Sequence, residues 1–172
     1  MSPDATVFRQ LGSDEADGAG TRRPPAVDVG SDIITVLSVS PLQDDHDALE
    51  RLLSRKNWHI QRANSLASGV ATLRQHPVPL VVSERDLLPG TWREMLAEAA
   101  RSPVPPLLIV TSRLADEYLW AEALNIGAYD VLAKPFDAVE VTRVLSFAWL
   151  QWKKQHESTG SGPERVMRAT SR

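Results

Sequence analysis

Two residues at the ends of apolar runs pose the chemical question in this chain. Leu107 to Val110 is an apolar run that stops at the hydroxyl of Thr111, and a second short run, Tyr129 to Leu132, leads to Lys134-Pro135. Between them an amphipathic stretch from Leu114 to Asn125 ends at Gly127. Strand, helix and strand in that order make a βαβ unit. Such a unit places the hydroxyl and the ammonium at the carboxyl ends of adjacent parallel strands, where open α/β sheets keep their ligand sites. An ammonium in an otherwise buried environment needs a partner.

The bulk properties narrow the function classes. With 172 residues the chain is long enough for one domain with a real core plus tails. Its net charge is −3 and its pI about 5.8, with the basic residues scattered, which argues against nucleic acid as the main partner. There is no cysteine, so disulfides and thiolate metal sites are excluded and a reducing cytoplasm is the expected compartment. Acids near the start and the absence of a long apolar run argue against a secretory leader and a membrane span. His46, His59, His76 and His156 are spread without ligand spacing, so neither a zinc site nor a histidine-based catalytic site is expected.

Along the chain, Met1 to Ser31 is rich in Gly, Pro, Asp and Ala and reads as a disordered leader. Ile33 to Val39 is a β-rich apolar run of the kind buried on both faces of a parallel sheet. Ser40-Pro41-Leu42-Gln43 has the form of a capping box, so a first helix is expected from Pro41 to about Lys56, with Leu49, Leu52 and Leu53 on its inner stripe. Trp58 to Arg62 alternates like an edge strand, and Asn64 or Ser65 can cap a second helix reaching Gln75. Leu80 to Ser83 is the third strand, Glu84 to Thr91 a turn-rich loop, and Trp92 to Arg101 a third helix. Asp137 caps a last helix reaching about Gln155, and the segment from His156 to Arg172 reads as a second loose tail. Five strands alternating with five helices predict a parallel α/β sheet with helices on both faces.

From Asp32 to Gln155 the chain resembles the receiver domain of bacterial two-component response regulators. The segments that carry the resemblance are LLIVTS, GAYDVLAKPF and the spacing between them. It implies a flavodoxin-like five-stranded sheet of order 2-1-3-4-5 with its site at the carboxyl ends of strands one, three, four and five. It also implies five functional groups. An acidic pair after strand one holds Mg²⁺ beside a phosphoacceptor Asp ending strand three, because a hard cation needs clustered carboxylate oxygens. A hydroxyl on strand four and a Lys on strand five bind the phosphoryl oxygens.

This chain departs from that pattern. The acidic-pair positions fall on Ser40 and Pro41, and the phosphoacceptor position on Glu84. Asp44 and Asp45 lie about one helical turn further on, roughly 5 Å along the axis, and a helix capped at Ser40 keeps them from the site. Thr111 and Lys134 remain as a vestigial phosphoryl site, expected to hold the Glu84 carboxylate. The aromatic switch position on strand five is Val131, with Tyr129 two residues earlier expected on the same strand face.

Receivers signal through the surface made by the fourth helix, fifth strand and fifth helix. Tyr118 and Trp120 on the fourth helix and Phe147 and Leu150 on the fifth are therefore the expected partner face. The sequence thus predicts a stand-alone degenerate receiver: no enzyme and no cofactor, acting by contact with a protein such as a histidine kinase or regulator, or with a second copy of itself. The alternative is a phosphorylatable receiver with Asp86 as acceptor and Asp44 or Asp45 at Mg²⁺.

Overall fold

The computed structural model describes residues 33–54 and 57–160. The expected leader, Met1 to Ser31, and the part of the expected tail beyond Gly160 lie outside them. The strands are β1 (Ile34–Val39), β2 (Trp58–Ala63), β3 (Leu80–Glu84), β4 (Leu107–Ser112) and β5 (Asp130–Ala133). They alternate with α1 (Gln43–Leu53), α2 (Leu66–Gln75), α3 (Trp92–Ala100), α4 (Glu117–Ile126) and α5 (Ala138–Gly160). All neighbours pair in parallel, in the order β2-β1-β3-β4-β5. That is the expected architecture.

The apolar strand runs are continuous because both faces of the sheet are covered. Successive side chains point to opposite faces, so each strand feeds two cores. Leu37, Val39, Val81, Leu108, Val110 and Val131 pack with Trp92 and Met95 of α3 and with Leu119 and Ala123 of α4. Val36, Leu80, Val82, Ile109 and Leu132 pack with Leu49 and Leu53 of α1 and with Val141, Val144, Leu145 and Ala148 of α5. Truncating a fully buried residue such as Ile109 to Ala would cost about 2–5 kcal/mol.

Local signals set most helix ends. Ser65 caps α2 and Thr91 caps α3 through reciprocal capping boxes, and the Asp116 carboxylate caps α4 by accepting the Leu119 amide at 2.8 Å. Gly127 closes α4 in the left-handed region, φ 107°, as a glycine C-cap does. Asp137 Oδ1 accepts the Glu140 amide at 2.8 Å and starts α5.

Three expectations are corrected. First, α1 begins at Gln43 rather than Pro41, with Leu42 as an N-cap that makes no side-chain bond. The Ser40 hydroxyl accepts the Leu42 amide at 3.1 Å in a local turn and so does not act as a helix cap. Second, α5 runs on past Gln155 to Gly160. Third, Tyr129 lies ahead of β5 and packs on the α1/α5 side, whereas Val131 packs on the α3/α4 side. The strand alternation does not extend back through the turn that follows Gly127, so the two side chains do not share a face.

Candidate functional site

The strand ends build the centre. Register pairs Val39 with Ser83 and Glu84 with Thr111, so the chain leaving β1 at Ser40 emerges beside Glu84, the last residue of β3. Thr111 pairs with Leu132 and Ser112 with Ala133. Lys134 therefore leaves β5 at the same level, and its amide donates to the Ser112 carbonyl at 2.9 Å. The Lys134-Pro135 bond is cis.

Lys134 Nζ donates to Glu84 Oε2, as the sequence led us to expect, and also to Asp45 Oδ2 at 2.8 Å. The second contact was not expected. Starting α1 at Gln43 puts Asp45 in the first turn, on the buried side with His46 and Leu49, and a carboxylate there also meets the positive end of the helix dipole. Ser40 Oγ donates to the same Asp45 oxygen at 2.6 Å. The Lys134, Asp45 and Glu84 side chains are only 5%, 8% and 11% exposed, so these ions neutralise one another largely out of water. Thr111 Oγ1 lies 3.5 Å from both Glu84 Oε2 and the Ser83 carbonyl, at the outer limit of a hydrogen bond.

The remaining candidates stay outside this cluster. Pro41 and Asp44 are exposed. Asp86 follows β3, bridges to Thr91 and is held by the Arg85 guanidinium at 2.7 and 2.9 Å. Tyr118 and Trp120 on α4 and Phe147 and Leu150 on α5 are all exposed. Because α4 and α5 cover opposite faces of the sheet, the two pairs lie in different helical layers.

One buried residue escaped the sequence reading. His46 is 2% exposed, and its Nε2–H donates to the Ser40 carbonyl at 3.0 Å while Nδ1 accepts from Ser38 Oγ at 2.8 Å. A carbonyl can only accept, which fixes the proton on Nε2 of the neutral ring. Burial pushes its pKa below 6.5, assisted by the Arg62 charge and opposed by the Ser40 bond and by Asp45 and Asp47. Two signals pointed to it: a serine inside an apolar strand needs a partner, and His46, Leu49 and Leu53 share one helix face.

Mg²⁺, which the resemblance implies for an active receiver, does not fit these residues. Ser40 and Pro41 bring no carboxylate, and one oxygen of each remaining acid, Asp45 and Glu84, is held by the Lys134 ammonium. Among the described residues no group of three or more His, Cys, Asp or Glu is placed to hold a metal ion.

With this geometry in hand, comparison with solved structures is direct. The signal receiver domain of an HD domain-containing protein from Pseudomonas fluorescens Pf-5 superposes with a TM-score of 0.68 at 24% identity, over 74% of this chain and 95% of that one. The chain has the receiver-domain fold. A CheY-like response regulator receiver domain protein from Methanospirillum hungatei gives 0.65 at 17% identity, over 72% of this chain and 98% of that one. A receiver domain protein from Clostridium thermocellum gives 0.61 at 16%, over 73% and 98%. No family model and no curated protein matches the sequence. In receiver-fold terms, Glu84, Thr111 and Lys134 stand at the ends of strands three, four and five. Among the described residues no helix is long and apolar enough to cross a membrane.

Proposed function

We propose that this chain is a receiver-type signalling domain that works by protein–protein contact in one fixed state, without Mg²⁺-dependent aspartyl phosphorylation. The observation that carries this reading is the sharing of Lys134 Nζ between Asp45 and Glu84. A phosphoryl group would have to displace Glu84 from that ammonium. Glu84 is also one methylene longer than the aspartate that receivers use. The chain is then neither an enzyme nor a cofactor carrier, and the lack of cysteine suits the cytoplasm. Its partner is a protein of the two-component type, a histidine kinase or a regulator, meeting the exposed large residues of α4 and α5. A second copy of the chain is the alternative occupant of that face.

The test is incubation of the full chain with Mg²⁺ and a small phosphodonor, followed by intact-mass measurement. No acid-labile phosphoryl increment is expected. Stoichiometric labelling at Asp86 would overturn the reading and restore the phosphorylatable alternative, in which Asp44 or Asp45 holds the metal.

A further inference from the structure

Asp45 and Glu84 come from separate elements, α1 and β3, yet a single ammonium contacts both. Two carboxylates so close together and so poorly hydrated need a counter-charge. In principle that charge can come from a dissociable divalent cation, which draws oxygen ligands from carboxylates, carbonyls and waters. Here it comes from a side chain. Lys134 is anchored by its own amide to the Ser112 carbonyl, and the Ser40 hydroxyl steadies the Asp45 oxygen that the ammonium contacts.

We propose that Lys134 is a tethered substitute for a divalent cation. It balances Asp45 and Glu84 permanently and makes the centre indifferent to free divalent metal. Removing the charge at position 134 turns the two carboxylates into a divalent-cation site. The inference deepens the fixed-state, Mg²⁺-independent reading proposed above and rests on it. Lys134 joins α1, β3 and the β5–α5 connection at one point through a group that belongs to the chain: a lysine cannot dissociate from it, whereas an ion can.

The experiment is a Mn²⁺ titration of the full chain, read by the electron paramagnetic resonance of free Mn²⁺ and by the thermal midpoint. The wild type is expected to show no saturable binding and no shift in midpoint. Lys134→Met is expected to bind one Mn²⁺ per chain at least about tenfold more tightly than the wild type and to be stabilised by it. Adding Glu84→Gln to that variant should abolish the gain. Should Lys134→Met fail to fold, Lys134→Gln, which keeps a hydrogen-bond donor without the charge, is read in its place. The proposal is overturned when the wild type binds Mn²⁺ as tightly as the variant, or when the folded charge-less variant binds none. Failure here is separate from failure of the functional reading, which is judged by phosphoryl mass on the wild type.

Discussion

Lys134 Nζ bridges two carboxylates from different layers of the fold, Asp45 in the first turn of α1 at 2.8 Å and Glu84 at the end of β3. Removing one member of a buried ion cluster strands the others. Lys134→Ala should therefore lower stability by about 3–5 kcal/mol in urea denaturation at neutral pH, because it leaves two buried carboxylates uncompensated. Glu84→Gln should cost clearly less, since the ammonium keeps Asp45. Equal losses for the two variants would mean that Asp45 does not share the charge.

His46 makes stability acid-sensitive. Its folded pKa lies below the unfolded value near 6.5, chiefly through burial. As pH falls the unfolded chain takes up the proton first. The stabilisation is fully present above about 6.5 and is lost as pH drops through the folded value. Urea midpoints measured down to about pH 5.5 should fall for the wild type and fall less steeply for His46→Gln. Parallel slopes would remove His46 from the account.

The exposed aromatic residues of α4 and α5 should matter for association and hardly at all for folding. Phe147 is 51% and Trp120 50% exposed, so Phe147→Glu and Trp120→Glu are expected to change stability by no more than about 0.5 kcal/mol. In light scattering at high protein concentration, any dimer of the wild type should be reduced to monomer by either substitution. A wild type that stays monomeric throughout rules out self-association and leaves the face to a different protein.

Gly127 offers a backbone test. Its φ is 107°, and a Cβ built there meets nothing within 4 Å, so only the left-handed conformation penalises a side chain. Gly127→Ala should cost about 1–2 kcal/mol with the spectroscopic fold intact. A neutral result would mean that α4 can end without its left-handed cap.

The sequence made some of this legible and hid the rest for physical reasons. Strand order aside, the fold could be read because the apolar runs of β1, β3 and β4, buried on both faces, announce themselves between helical stretches, and Glu84, Thr111 and Lys134 each sit where a strand run stops. Asp45 was lost because Ser40 carries the hydroxyl of a capping residue and Pro41 suits a first helical position. A capping box and a serine turn use the same side chain, and only the partner of the hydroxyl distinguishes them. Starting α1 two residues late brings a carboxylate into the centre. His46 was lost for a related reason: its partners, Ser38 and the Ser40 carbonyl, become neighbours only when α1 lies against β1. Tyr129 shows the limit of alternation, which holds inside a strand and lapses at the turn before it.

The length of α5 has a mechanical consequence. At about 1.5 Å per residue its 23 residues extend about 34 Å, against about 20 Å for the six residues of β4. Just ahead of the amino-terminal end of β4, Trp152 Nε1 donates to the Pro105 carbonyl at 3.0 Å, and the ring stacks between Trp149 and His156. Val141, Val144, Leu145 and Ala148 bed the helix on the core ahead of Trp152, so its first half is held along its length and moves as one piece with the α1 side of the sheet, while about 12 Å of helix follow Trp152.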